Sequence, residues 1–515
     1  MKKAFSTKWF RQLFRRRVLI ILMLLLQIGF LAYLVISGSR FSQGLGRLFT
    51  IISLFAALYI ISKRDKGAYK LTWVFLILLF PLFGGLLYLL FNFQTSTKRF
   101  SEKMSLVKET TAPLYFLPQN SYQKAMADIP ERFPQIRYLQ EFAGFPVYTN
   151  TSTKFYSPGE VLFQAMKEEL NKAEHYIFLE YFIVEEGTMW NEILEILIQK
   201  VKEGVKVRLI YDDLGCFLLL PKNYREKLHK LGIECAVFNP FRPFLTVKQN
   251  NRDHRKITVI DGKVAFTGGI NLADEYINVK VKHGHWKDAA IKLEGNAAWS
   301  FTLIFLEMWS YCKKVNEDFS LYYPWKDCIC SIPDDGYVQP YADSPLDSDN
   351  VGEHVYLQII NKATDYVYIY TPYLIIDDSM ISALTLAAKS GVDVRIITPH
   401  IWDKRIVHMT TRSYYRELIL SGVKIYEYSK GFLHTKAFVS DDTTATVGTT
   451  NLDFRSLYLH FECGTWLYGS TAVMEIKRDF LDTLQECQEI TLKDCSKHVA
   501  GRLIQDILRL FAPLM

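Results

Sequence analysis

The sequence predicts an α/β protein built from two similar α-β-α sandwich halves related by pseudo-twofold symmetry, preceded by an N-terminal helical membrane anchor. Three observations predict it. A histidine–lysine–aspartate motif occurs twice, as His254-Arg-Lys256-Ile-Thr-Val-Ile-Asp261 and as His434-Thr-Lys436-Ala-Phe-Val-Ser-Asp441. Each copy is followed by a glycine-bearing turn that ends in asparagine, Gly268-Gly-Ile-Asn271 and Gly448-Thr-Thr-Asn451. Strand and helix patterns recur in the same order ahead of both motifs, and three apolar runs fill the first 93 residues.

The anchor comes first. Residues 18–36 form a near-continuous apolar run, long enough to span hydrocarbon, and no small-residue cleavage site marks it as a signal peptide. Further runs follow at 45–61 and 71–93, the last interrupted by Pro81 and Gly84-Gly85. Lys2, Lys3, Lys8, Arg11, Arg15, Arg16 and Arg17 precede the first run without an acid, and they account for the whole formal charge of +7. Such a cluster suits anionic headgroups on the inner face of a membrane, while the balanced remainder argues against a nucleic-acid partner. The basic loop Lys63-Arg64-Asp-Lys66 and Lys98-Arg99 also belong inside. The third run then either re-enters, which leaves the catalytic region cytoplasmic, or crosses, which puts it outside. The cytoplasmic placement is expected, in a multi-pass protein of the bacterial plasma membrane.

Residues 94–134 are polar, carry four prolines and read as a connector. The first half is expected over 135–325. Its elements are a helix at 161–172, a buried strand at 176–184, a helix at 188–203 with Ile193, Leu194, Leu197 and Val201 at helical spacing, and a strand at 204–211. The second half, 326–495, repeats them with a strand at 366–370, a helix near 380–390 and a strand at 391–397. Strand–helix–strand order predicts parallel pairing with helices on both faces. The tail, 496–515, reads as an amphipathic helix with Leu503, Ile504, Ile507, Leu508 and Phe511 on one face, suited either to a membrane interface or to packing on the domain. The eight cysteines show no disulfide or zinc framework, and Cys328 and Cys330 are too close for an ordinary bridge, so reduced core thiols are expected.

The motif carries the chemistry. With 11 histidines in the chain, one chance match to His-x-Lys-x4-Asp has a probability of roughly 0.04, and two matches with the same sequel are not accidental. On a strand, His254 and Lys256 leave the same face, Ile257 and Val259 turn to the core, and Asp261-Gly262 supplies a hairpin turn. Two such copies face to face offer two imidazoles, two ammoniums and two amides. One neutral histidine attacks phosphorus and the other, protonated, donates to the leaving oxygen; an ordinary imidazole pKa of about 6.5 makes both states accessible. Lys256, Lys436, Asn271 and Asn451 hold the non-bridging oxygens. Asp261 and Asp441 complete the motifs, as turn formers or partners of lysine. No metal or cofactor is called for, because His-x-Lys lacks ligand spacing.

These residues resemble the paired signatures of the phospholipase D superfamily, and the surrounding text resembles bacterial cardiolipin synthases. The likeness is carried by Leu179-Glu-Tyr-Phe-Ile183, Asn251-Arg-Asp-His254, Gly268 to Tyr276, Gly431-Phe-Leu-His434 and Asn451-Leu-Asp-Phe-Arg-Ser456, and it extends over essentially the whole chain. The chain departs from the family's pattern at Ala289-Ala290, where Thr-His is usual, and at His460, where Asn is common. The resemblance implies phospholipase D-like halves, phosphatidylglycerol as substrate, transfer through a phosphohistidine, and a carboxylate beside each imidazole, for which Glu462 and Asp288 are the candidates. His254 is taken as nucleophile and His434 as acid and base, an assignment that near symmetry leaves reversible. A hydrolase using water and a non-catalytic scaffold are the other readings; intact motifs in both halves count against the scaffold.

Overall fold

A computed structural model describes residues 40–515 except 64–65, 81–83, 86–87, 89–94, 119–120, 241–249, 327–329, 348, 496–498 and 515, with residues 25, 28, 29, 32, 33 and 36. The first apolar run, apart from those few positions, lies outside the described residues, as do Cys328 and the apolar loop Phe241 to Leu245.

The chain forms two compact units. The smaller comprises residues 1–99, 241–250 and 509–515. Its helices Arg40–Ser62 and Gly67–Leu79 cover the second apolar run and part of the third, around a small core of Ile60, Trp73, Leu76, Ile77 and Tyr88. Phe511 packs on Phe75, and the Thr72 hydroxyl donates to the Leu510 carbonyl at 2.7 Å. Leu48, Ile51, Leu54, Phe55 and Leu58 remain exposed on the longer helix. Among the described residues, no helix is long and apolar enough to cross a membrane.

The larger unit, residues 100–240 and 251–508, holds both motifs. It opens within helix Thr95–Thr111 and continues through helix Tyr122–Asp128, so the stretch expected as a connector is largely helical. Its first half contains β1 (Thr151–Tyr156), β2 (Tyr176–Tyr181), β3 (Lys206–Asp212), β4 (Glu234–Phe238), β5 (Arg252–Asp253), β6 (Lys256–Ile260), β7 (Val264–Gly268), β8 (His285–Lys287) and β9 (Ala290–Gly295). Its second contains β10 (Tyr337–Asp343), β11 (Tyr366–Tyr370), β12 (Asp393–Pro399), β13 (Lys424–Tyr428), β14 (Gly431–Leu433), β15 (Ala437–Ser440), β16 (Thr444–Gly448), β17 (His460–Tyr468) and β18 (Cys487–Ile490). The main sheets run β1-β9-β7-β6-β2-β3-β4 and β10-β17-β16-β15-β11-β12-β13-β18.

Parallel pairing was expected for the strand–helix–strand units and a hairpin for the motif strands, and the sheets are mixed. Within the main sheets β2-β3-β4 and β11-β12-β13 are parallel, with helix Thr188–Lys202 crossing from β2 to β3 and helix Asp378–Lys389 from β11 to β12. The motif strands β6 and β15 lie antiparallel beside β2 and β11, and each continues through a tight hairpin into β7 or β16, a connection that joins antiparallel neighbours. Every residue of β2 and β6 is buried. Helix Ala298–Lys313, buried on all sides from Ala298 to Ser310, packs against strands of the first sheet and against β10 of the second. Helix Thr471–Leu484 packs on the second sheet and reaches β1. The two halves therefore share one core.

The motif aspartates terminate the hairpins. Asp261 and Asp441 sit in the left-handed region at φ 51° and 52°, which aspartate tolerates better than most residues. The Asp261 carboxylate accepts from the amides of Glu174, His175 and Tyr176 at 2.7–2.8 Å. Asp441 does the same for Thr364, Asp365 and Tyr366 at 2.9–3.0 Å, with Arg132 at 3.4 Å. Each carboxylate caps the backbone at the start of the first parallel strand of its half, five strand residues or roughly 17 Å beyond the motif lysine. Burial opposes the charge on Asp441, but the amides of Tyr366, Thr364 and Asp365 outweigh it and hold the carboxyl below its usual range. That increment of stability is present above the unfolded carboxyl pKa of about 3.9 and is lost as pH falls through the folded value. Asp261→Ala and Asp441→Ala should each cost roughly 3 kcal/mol through the stranded amides, seen as a lowered thermal midpoint, with Asp441→Ala also flattening the acid limb of stability. An unchanged midpoint would mean that water satisfies these amides equally well.

Candidate active site

Each motif histidine is delivered by a short strand that pairs with the opposite half. β5 runs parallel to the start of β17, matching Arg252 with His460 and Asp253 with Phe461, and the His254 amide donates to the Phe461 carbonyl at 3.0 Å. β14 runs parallel to β8, matching Phe432 with Trp286 and Leu433 with Lys287, and the His434 amide donates to the Lys287 carbonyl at 2.7 Å. The next residue on each partner strand is a carboxylate. His254 Nδ1 lies 2.9 and 3.1 Å from the two oxygens of Glu462, and His434 Nδ1 lies 2.6 Å from Asp288 Oδ2. The imidazole of one half is thus paired with the carboxylate of the other. A carboxylate at Nδ1 accepts the proton carried there, which leaves the lone pair of the neutral ring on Nε2.

The carboxylates are held in turn, by different means. A Cβ on Gly269 would stand 2.0 Å from Asp288 Oδ1, so only glycine leaves room for that carboxyl, which also accepts from the Ala289 amide at 2.8 Å. In the second half Thr449 occupies the corresponding place and its hydroxyl donates to Glu462. β5 is fixed by a buried bidentate pair in which Arg252 donates from Nε and Nη2 to Asp212 at 2.6–3.1 Å. Aromatic rings frame both imidazoles. Phe182 lies 5.0 Å from His254, and Trp286 and Tyr276 lie 5.3 and 5.7 Å from His434.

Lys256 folds back to donate to the His254 carbonyl, and Lys436 donates to the His434 carbonyl. Lys436 Nζ is also 2.8 Å from His434 Nδ1, so ammonium, imidazole and Asp288 form one proton-sharing group. Burial sets the charge states here. Burial first, and then the lysine ammoniums, lower both imidazoles well below their ordinary range. Burial brings Lys256 down to about 8 and Lys436 to about 7, and raises Asp288 to about 7. The expectation of an ordinary imidazole pKa is therefore corrected: desolvation leaves both rings neutral, and protons available near neutrality reside on Lys436, Lys256 and Asp288. A bound anion would favour protonation of the whole cluster.

The structure brings His254, Lys256, Glu462, His434, Lys436 and Asp288 together and leaves Asp261 and Asp441 at the far ends of the hairpins. Asn271 is committed elsewhere, its Oδ1 accepting from the Ile183 amide at 3.0 Å and its Nδ2 donating to the Tyr276 hydroxyl at 2.7 Å. Asn451 is buried with Oδ1 free of hydrogen bonds. Sequence reasoning missed Thr449, Tyr276, Phe182 and the role of Gly269. The only signal for Thr449 was its register with Gly269 in the repeated Gly-x-x-Asn turn.

The family model described as cardiolipin synthase, PLD-like domain, matches residues 166–284 and 356–484, and the phospholipase D-nuclease N-terminal model matches 51–91. Cardiolipin synthase 2 of Bacillus anthracis is 36% identical over 471 residues, covering 91% of each chain. The chain belongs to the cardiolipin synthase family. A Geobacillus cardiolipin synthase is likewise 36% identical over 92% of this chain and 94% of its own. An uncharacterized protein of Streptococcus mutans is 45% identical over 89% of this chain and 99% of its own. Among solved structures, phosphatidylserine synthase of Haemophilus influenzae superposes with a TM-score of 0.55 at 14% identity, covering 74% of this chain and 97% of that one. That likeness extends the shared fold across both halves of the family's catalytic region.

The lysines make anion binding pH-dependent. An ammonium contact with an anion is worth ~1.5–3 kcal/mol, about tenfold or more in Kd. Sulfate, whose charge is constant across neutrality, should therefore bind progressively more weakly as pH rises through about 7 and then about 8, where Lys436 and Lys256 lose their protons. Calorimetric titration checks this, and a pH-independent affinity would place other groups on the anion.

Proposed function

We propose that this chain is a membrane-associated phosphatidyltransferase that converts two phosphatidylglycerol molecules into cardiolipin and glycerol. The observation that carries the reading is the pair of crossed imidazole–carboxylate contacts, His254 with Glu462 and His434 with Asp288, in a chain of the cardiolipin synthase family. Residues 135–325 and 326–495 are taken as its two phospholipase D-like halves.

His254 Nε2 attacks phosphorus, forming a P–N bond as the bond to the leaving glycerol oxygen breaks. His434, protonated once the phosphodiester anion is bound, gives its Nε2 proton to that oxygen and keeps the Nδ1 proton held by Asp288. The hydroxyl of a second phosphatidylglycerol then loses its proton to His434 and attacks phosphorus, breaking the P–N bond and freeing His254. Lys256 and Lys436 neutralise the non-bridging oxygens as charge accumulates. Glu462 and Asp288 fix the tautomer of the two rings. Asn271 and Asn451 hold the loops behind the phosphate, and Asp261 and Asp441 act through the hairpins. Burial of both imidazoles in aromatic surroundings favours a lipid alcohol over water as acceptor.

Membrane placement is supported by the basic N-terminus, by the exposed apolar face of helix Arg40–Ser62, and by the exposed Leu503, Ile504 and Ile507 of helix Val499–Phe511. We take residues 1–93 as the anchor in the plasma membrane and the catalytic region as cytoplasmic. The anchor includes the first apolar run and the third, spanning or re-entrant.

Membranes holding the protein, given phosphatidylglycerol labelled in its headgroup, should release labelled glycerol and form cardiolipin. His254→Ala and His434→Ala should each lower the rate by ~10³-fold or more. Phosphatidic acid in place of cardiolipin would identify a hydrolase. Either mutant at full rate would end the two-histidine mechanism. Glu462→Gln and Asp288→Asn should each lower kcat by ~10²–10⁴-fold with little change in KM, since they act on ring orientation and not on lipid binding. A change confined to KM would contradict that role.

A further inference from the structure

The two halves differ at one position beside the reactive rings. Strand register places Trp286 next to His434 and, at the matching point, His460 next to His254. The His254 and His460 rings are 5.4 Å apart. His460 Nδ1 stands 3.8 Å from Glu462 Oε1, beyond hydrogen-bonding length, and both of its ring nitrogens are buried without a hydrogen bond. One potential ligand atom from each of His254, His460 and Glu462 falls within 4.8 Å of the others. Metal–ligand distances of 2.0–2.2 Å in a tetrahedral shell separate neighbouring ligand atoms by roughly 3.3 Å. The observed separations from Glu462 Oε1, 2.9 Å to His254 Nδ1 and 3.8 Å to His460 Nδ1, bracket that value.

We propose that His254, His460 and Glu462 form a binding site for a divalent transition metal of the zinc class, and that its occupation blocks the reaction. Two imidazoles and one carboxylate are a donor set that zinc takes, with the fourth position left to water. Tryptophan offers no ring lone pair, so the corresponding place beside His434 lacks the third ligand. The block follows from the tautomer. A metal at His254 Nδ1 takes the lone pair of the other tautomer, so the ring's single proton moves from Nδ1, where Glu462 accepts it, to Nε2, the atom that must attack. Glu462 is drawn into the metal shell at the same time. No metal enters the catalytic cycle; the ion competes with it.

Binding rests on geometry alone, while the block rests on the phosphatidyltransferase reading, and two measurements separate them. The full chain, purified in detergent, is titrated calorimetrically with Zn²⁺, alongside His460→Phe, which keeps the ring and removes both nitrogens, and His460→Asn. Wild type should bind one Zn²⁺ per chain that both variants lose or bind about 10- to 100-fold more weakly, with subtraction of the variants removing any contribution from cysteine thiols. Equal binding by wild type and variants, or none by wild type, overturns the site. In the activity assay, Zn²⁺ should inhibit wild type reversibly on chelation. His460→Asn should keep its metal-free rate and require at least about tenfold more Zn²⁺ for half-inhibition. Metal bound at His460 without inhibition overturns the block. Should the chain make no cardiolipin at all, the calorimetry still decides the site.

Discussion

The exchange of short strands between the halves is the constraint on which the rest depends. β5 and β14 each leave their own half to pair with a strand of the other, and the register of that pairing sets a histidine of one beside a carboxylate of the other. A slip of one residue would turn every side chain on these strands to the opposite face and would separate both imidazoles from their partners. The shared core around helix Ala298–Lys313 follows from the same need, because strands exchanged across an interface keep register only where that interface is rigid. Neither half alone supplies both the motif imidazole and the carboxylate that meets its Nδ1.

Burial then decides the chemistry open to this arrangement. Two neutral rings, two lysines brought toward neutrality and one raised carboxyl make a site whose charge state follows its occupant. An incoming phosphodiester supplies the negative charge that holds protons on the lysines and on the acid. The approximate symmetry is broken in detail. Asp288 fits against glycine where Glu462 takes a threonine hydroxyl, and His434 faces a tryptophan where His254 faces a third potential ligand. Near-identical backbones can therefore give the two histidines different roles.

Much of this was legible in advance. Strands at 176–181 and 366–370 and the helices at 188–202 and 378–389 stand within a few residues of where periodicity put them. The mixed pairing was legible in principle, since Asp261-Gly262 already signalled a hairpin. The helices in 95–128 were not, because four prolines over a polar stretch carry the same local signal as a loop. Perturbed protonation was out of reach: Lys256 and Lys436 look ordinary until the packing that desolvates them is known.

By itself the sequence determined the duplication, the candidate site side chains and the order of strands and helices. These are properties of residue type and local spacing, and repetition makes them unmistakable. Only the tertiary structure decided that Glu462 lies against His254 and Asp288 against His434, that the motif aspartates cap the backbone away from both imidazoles, and that His460 stands beside the first pair. Each of those contacts joins residues far apart in the chain, 208 positions for His254 and Glu462. No periodicity or motif spacing records such a separation, because it is fixed by which strand edges pair when the two halves close on one core.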